Sequence, residues 1–560
     1  MDIRTGRPVT LAPHGMVTSP HSLASAAGTD VLRAGGSAID AAIATSAVLA
    51  VAYPHMTGLG GDAFWLIHDG ASGEIHYLNG GGKAAASATL SSLEQRGLKE
   101  IPLRGVVPAT VTVPGAVASW IEAHDAHGRL DLSRVLESAI GYAQDGFPVT
   151  GRLASFIEMM RDDLVQDREA AALFFPDGAP AQPGAKLTNA NLARTLQSIA
   201  DNRWSGFYEG PVAAEMARFS EEKGGLFRLA DLSKQKASWG APLAGRYRDI
   251  TIFNTPPPTQ GFTVIEMLNL VEPHDLHRKE FLGPDHVHLL VQAKQIAYHD
   301  RDLLLADPLF ADVPVERLIS KQYAGGRGRL IDAKSALRWD MVPSFGSLSG
   351  DTVYIAAVDR GGNAASLIQS LYGAFGSCVV AGSTGVILQN RGAYFSLDPA
   401  HPNRLEPGKI PLHTLIASMA KRDGKLWSVL GCMGADGQPQ IQLQLYSAMI
   451  DFGLDIQEAI EMPRFLSGRF ALGEARDTLH MESRFPEGAI AALERRGHTV
   501  NRWGAWNEMA GITPTASRSI TGWVSCVAGR IPVATGRLSG TNSEWRSAIG
   551  WSFYFALPLR

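Results

Sequence analysis

Gly350-Asp351-Thr352-Val353-Tyr354-Ile355-Ala356-Ala357-Val358-Asp359-Arg360-Gly361-Gly362-Asn363 is the stretch from which the rest of the chain can be read. After the threonine the residues are β-branched, aromatic or small. No charge intervenes before Asp359, where an Arg-Gly-Gly-Asn turn follows. That pattern predicts a buried strand entering a tight hairpin, with the mostly apolar run Ala364 to Tyr372 as the return strand. Just upstream, Ser347-Leu348-Ser349-Gly350 is small and pliable, as an exposed segment would be. A threonine opening a buried strand behind such a linker suits a chain that cuts itself. The cut would free the Thr352 hydroxyl as nucleophile and its α-amine as base, an amine whose reference pKa is about 7.7–8.0. The same letters also fit an ordinary turn residue ahead of a β-former, so the choice depends on the rest of the chain.

Composition narrows the field. Of 560 residues, 45% are hydrophobic and 19% charged, as in a soluble globular protein. A net charge of -4 gives no footing for nucleic acid or an anionic membrane surface. Cys378, Cys432 and Cys526 lie far apart without a CxxC pair, which argues against a zinc ribbon or a disulfide framework and for a reducing, cytoplasmic setting. Met1 to Pro8 lacks the apolar core of a signal peptide, and the longest apolar run, Ala41 to Tyr53, is too short to span a bilayer. No cofactor and no metal are expected. His286, His288 and His299 make no HExxH arrangement, and the turn Gly58-Leu59-Gly60-Gly61 lacks the lysine of a P-loop. Close backbone packing beside a site suits those glycines better.

Periodicity predicts helices over His21 to Gly36, Asp40 to Ala52 and Val117 to His127, with a strand from Ala63 to His68. Thr255-Pro256-Pro257-Pro258-Thr259-Gln260-Gly261 is a stiff turn leading into a helix from Phe262 to Leu270. Another helix starts at Asp285 and runs to Asp300-Arg301, read here as a structural ion pair. Arg104 has two readings, a solvated surface arginine or a fork gripping a substrate carboxylate.

From Thr352 onward, motifs accumulate: Ile368-Gln369-Ser370-Leu371-Tyr372, Phe375-Gly376-Ser377, Gln389 to Pro399, Pro407 to Thr414 and Met433 to Gln440. Together with Pro54 to Asp62 they resemble the γ-glutamyltransferase family of N-terminal-nucleophile hydrolases, and within it the branch containing oxamate amidohydrolase. The resemblance runs in order from about Gly15 to about Gly511. It implies an α+β fold, a four-layer αββα sandwich, made as a precursor that cuts itself into a large subunit (1–351) and a small catalytic subunit (352–560). It places Thr352 as nucleophile, Ser370 as the hydroxyl that activates it, and Gly434 and Ala435 as oxyanion donors. The usual second glycine is alanine here, a strained choice if that position needs φ > 0. Arg104 falls at the family's carboxylate-binding arginine.

Departures from the family pattern bear on substrate. Tyr372 replaces an asparagine, Tyr394 replaces the acid that contacts the glutamyl α-amine, and His413-Thr414 replace a serine pair. A buried ammonium would lack its partner. Tyr372, Arg391, His413 and Thr414 instead suit a small carboxylated amide such as oxamate. A γ-glutamyltransferase or glutathione hydrolase, and an uncleaved inactive relative, are the rival readings. The expected partners are that small substrate and the chain's own two subunits, with a homodimer of processed heterodimers as a further option. Beyond about residue 511 the family's closing Asp-Pro-Arg turn is missing. Codons for Ala528 to Gly540 admit such an ending in another frame, so 511–560 is read as a frameshifted tail.

Overall fold

The strand that carries Thr352 divides its side chains between two cores. In the computed structural model, which describes residues 5–6, 9–105, 109–337, 351–468, 477–506 and 515–518, this strand spans Asp351–Val358. Val353, Ile355 and Ala357 enter one apolar cluster, and Tyr354, Ala356 and Val358 enter another. Burial on both faces explains why the sequence shows a continuous apolar run instead of alternation. The return strand, Ala364–Tyr372, is buried throughout. At the hairpin, Asp359 Oδ1 accepts from the N–H groups of Gly361 (2.8 Å) and Asn363 (3.1 Å). Gly362 turns at φ +80°, where a glycine fits without strain.

These two strands lie inside a six-stranded sheet, in the order Met16–Thr18, Asp351–Val358, Ala364–Tyr372, Asp62–His68, Ile75–Gly80 and Ser238–Gly240. On one face packs the alanine-rich helix Ala38–Ala52, every residue of it buried. It starts two residues earlier than the sequence suggests, because Ser37 and Asp40 form a capping box. The preceding helix is Ser22–Arg33, and Gly35 (φ +91°) lies beyond its end. The opposite face meets a five-stranded sheet through Phe64, Tyr354, Ile368, Leu415, Met419 and Val429. That second sheet runs Thr515–Arg518, Lys425–Gly431, Ser418–Arg422, Ile250–Asn254 and Leu243–Tyr247. Its far side is covered by the helices Phe262–Val271, Pro284–Leu304 and Gln438–Ile450.

Asp300 and Arg301 each form ion pairs, but not with each other. Asp300 meets Arg327 at 2.7 Å, whereas Arg301 meets Asp302 and Asp436, each at 2.6 Å. The Asp300 and Arg301 side chains leave the helix about 100° apart, toward different partners. The linker Ser347 to Gly350, Cys526, and the tail apart from Thr515–Arg518 lie outside the described residues. Thr515–Arg518 pairs antiparallel with Ser428 to Gly431. Among the described residues no helix is long and apolar enough to cross a membrane.

Candidate active site

The two strands of the hairpin slip out of register at their open end, and the site begins there. Gln369 faces Val353 and Tyr372 faces Asp351, so Ser370 and Leu371 together oppose the single residue Thr352. Such a bulge leaves a backbone N–H out of the ladder and re-aims side chains. Here the Tyr372 N–H donates to Ser370 Oγ at 2.7 Å, and Tyr372 takes φ +80°, unusual for a bulky residue. Thr352 Oγ1 donates to the same Ser370 oxygen at 3.3 Å, and both side chains are buried. On its other edge Ser370 is register partner to Asp62. A Cβ on Gly61 would come within 2.3 Å of the Ser370 carbonyl oxygen, so the glycine-rich turn serves close backbone approach.

Arg391 lies beside this pair and is fully buried. Its Nη1 donates to Thr414 Oγ1 (3.1 Å) and its Nη2 reaches Ser370 Oγ (3.5 Å), while Nε has no partner. The guanidinium carbon is 4.6 Å from the centre of the Tyr372 ring and 5.5 Å from that of Tyr394. Those two rings lie 4.6 Å apart. Burial draws the arginine's pKa down, opposed by Tyr394, Asp62, Tyr372 and Asp436. Burial also pushes the Tyr372 phenol up to about 12 and the Tyr394 phenol well up, so both keep their protons.

His413 is enclosed as well. Its Nε2 stands 3.2 Å from Asp62 Oδ2, at ion-pair distance, and its ring meets Phe64 edge-on at 4.7 Å. Burial and the Arg391 charge pull its pKa down to about 4 against the pull of Asp62, so the imidazole is neutral at pH 7. Asp62 Oδ1 accepts from Gln389 Nε2 at 3.0 Å. Sequence reasoning quoted this aspartate without giving it a role. Its signal was an acid closing a glycine-rich turn at the mouth of a strand.

Gly434 and Ala435 end the loop after the strand Lys425–Gly431 and precede the helix Gln438–Ile450. Tyr354, two residues past Thr352, packs its ring on Gly431, which brings this loop to the same end of the sheets. Gly434 has φ +114° and Ala435 φ +42°. The alanine therefore occupies the left-handed region, at a cost of about 1–2 kcal/mol. Arg104 does not present a free fork. Its Nη1 donates to the carbonyls of Ala374 (2.9 Å) and Gly376 (2.6 Å), and its Nε lies 3.5 Å from Asp163. Its Nη1 stands next to Gly373, so it braces the loop that follows Tyr372. Cys378 and Cys432 are buried free thiols, and burial pushes Cys378 up to about 12. Among the described residues no group of three or more His, Cys, Asp or Glu side chains could hold a metal ion.

The arrangement is a hydroxyl at the second residue of a strand, a second hydroxyl against it, a buried cation beside both, and a left-handed turn opening a helix. Residues 24–525 match the family described as Gamma-glutamyltranspeptidase. A glutathione hydrolase-like proenzyme of Bacillus subtilis is 40% identical over 497 residues, covering 89% of this chain and 93% of that protein. The oxamate amidohydrolase proenzyme of Klebsiella pneumoniae is 39% identical over 507 residues, covering 90% and 94%. Among solved structures, a cephalosporin acylase from Bacillus halodurans superposes with a TM-score of 0.87 at 34% identity, covering 97% and 98%. The chain belongs to the gamma-glutamyltranspeptidase family.

Proposed function

We propose that the chain is a self-processing N-terminal-threonine amidohydrolase, cut between Asp351 and Thr352, that hydrolyses a small carboxylated amide such as oxamate. On this reading the two sheets and their flanking helices form a four-layer αββα sandwich, and 1–351 and 352–560 become its large and small subunits. The observation that carries the substrate class is Arg391. It is a fully buried cation beside Thr352 and Ser370, with an unpartnered Nε and no carboxylate of a described residue at ion-pair distance. A buried charge without a counterion is costly, and a substrate carboxylate would supply one.

After the cut, the Thr352 hydroxyl attacks the amide carbonyl while its α-amine takes the proton. Ser370 Oγ, anchored by the Tyr372 N–H, holds the attacking hydroxyl in place. The N–H groups of Gly434 and Ala435 receive the developing oxyanion, a role worth about 3–4 kcal/mol per donor in a comparable hole. The C–N bond breaks, the amine leaves with the transferred proton, and an ester on Thr352 is left. Water, giving its proton to the same α-amine, attacks that ester and releases the acid. Arg391, Thr414 and the Tyr372–Tyr394 pair hold the carboxylate, neutral His413 borders it, and Arg104 braces the loop behind.

A γ-glutamyl substrate is the second reading. It draws on Asp436 and Asp62, whose charges reach Arg391 and could serve an α-ammonium group. A denaturing gel and two assays test the proposal. The wild type should run as two fragments and release ammonia from oxamate faster than the anilide from a γ-glutamyl anilide. Thr352→Ala should stay one band and lose more than about 10³-fold in rate. Faster anilide release would select the second reading, and a persistent single wild-type band would make the chain an inactive relative.

A further inference from the structure

We propose that Gln260 and Arg301 are positioning residues that clamp Ala435 in its left-handed conformation and thereby set the rate of acyl transfer. The proposal rests on reading Gly434 and Ala435 as the oxyanion donors.

The conformation of Ala435 is fixed by the two rigid peptide planes on either side of its Cα. The plane bearing its N–H also bears the Gly434 carbonyl, which accepts from the Gly437 N–H at 2.6 Å. The next plane bears the Ala435 carbonyl, which accepts from Gln260 Nε2 at 3.1 Å. With both planes held, the alanine stays at φ +42° despite its Cβ. Gln260 is itself held, since its Oε1 accepts from Arg301 Nη1 at 2.7 Å. Arg301 also donates to Asp436 Oδ1 at 2.6 Å, and Asp302 pairs with it from the other side at 2.6 Å. The Asp436 carbonyl accepts from the Tyr298 hydroxyl and from Gln440 Nε2. Apart from half-buried Asp302, these side chains are buried.

The same Gln260 Nε2 donates to the Thr414 carbonyl at 2.8 Å, and Thr414 Oγ1 receives Arg391. One side-chain amide therefore ties the oxyanion turn to the residues proposed to hold the carboxylate. Tyr298 and Arg301 stand three apart on the helix Pro284–Leu304 and stack, with the guanidinium carbon 4.1 Å from the ring centre. The sequence placed Asp300-Arg301 in a structural role. The geometry gives Arg301 a place two hydrogen bonds behind Ala435.

A double-mutant cycle tests the clamp. Without Gln260, alanine should drift to right-handed backbone, a bias of about tenfold against the left-handed form, whereas glycine carries no such bias. Q260L should therefore lower both kcat and the rate of self-cleavage about tenfold in the wild-type background, and less than about threefold in the A435G background. A purely structural role would lower the melting temperature by the same amount in both backgrounds and give no such coupling. Equal losses in both backgrounds overturn the clamp while leaving the oxyanion reading intact. No loss in either background overturns the clamp. Should Q260L fail to fold, as judged by its thermal melt, R301K enters the same cycle. It keeps the charge toward Asp302 and Asp436 but loses the fork on Gln260.

Discussion

The two faces of the return strand treat their polar groups in opposite ways. On the face toward the Ala38–Ala52 helix, Gln369 is completely buried with both its amide oxygen and its amide nitrogen hydrogen-bonded. Its Oε1 accepts from Ser46 Oγ (2.8 Å) and Trp120 Nε1 (2.9 Å), and its Nε2 donates to the Gly58 carbonyl (3.2 Å). One residue on, the face toward the second sheet holds Ser370 beside Arg391, His413 and Asp62. There Arg391 Nε, both His413 ring nitrogens and Asp62 Oδ2 have no hydrogen-bond partner. Native interiors satisfy nearly all buried polar groups. The satisfied face is scaffold, and the unsatisfied face is what a ligand would complete.

Substitutions on the two faces should therefore fail in different ways. Arg391→Met should lower kcat/KM for a carboxylated amide about 100-fold or more while the melting temperature holds or rises, since an uncompensated charge is removed with its desolvation cost. If melting falls sharply instead, the cation is structural and the contrast breaks. Gln369→Leu should do the reverse. It takes from Ser46 Oγ and Trp120 Nε1 the acceptor they share, at about 3 kcal/mol in urea unfolding, with kcat of the folded enzyme within about threefold.

The smallest effect is a proton. The folded pKa of His413, about 4, lies below the 6.5 of a free histidine, so the unfolded chain binds more protons between those values. Stability from this group is fully present above pH 6.5 and is lost as pH falls toward 4. Between pH 7 and 5.5 the loss is about 1 kcal/mol, and His413→Asn should show a correspondingly flatter dependence in urea titrations. An unchanged slope would mean that the ring already carries its proton, paired with Asp62.

Much of this was legible in the chain itself. The hairpin, the strand Asp62–His68 and the helices Ala38–Ala52 and Phe262–Val271 follow from periodicity and turn chemistry, because those are local. The neighbourhood of Thr352, Ser370, Arg391 and Thr414 followed from ordered motifs. What stayed hidden was pairing across long separations. Nothing local tells that Asp62 will meet His413, or that Arg301 will reach Gln260 and Asp436. Arg104 was opaque for another reason. Its acceptors are backbone carbonyls, which every residue carries and no letter announces. The strain at Ala435 was readable only as a condition, since a sequence does not print dihedral angles.

Both sheets interleave strands from before and after Thr352. In the larger one, Met16–Thr18 and Asp62–His68 flank the hairpin on either side; in the smaller, Ile250–Asn254 adjoins Ser418–Arg422. A nick ahead of Thr352 would thus divide the covalent chain without dividing the body. The two pieces could part only by unzipping ladders that both of them built, so dilution alone should never separate them, and neither piece should be recoverable by itself in native form.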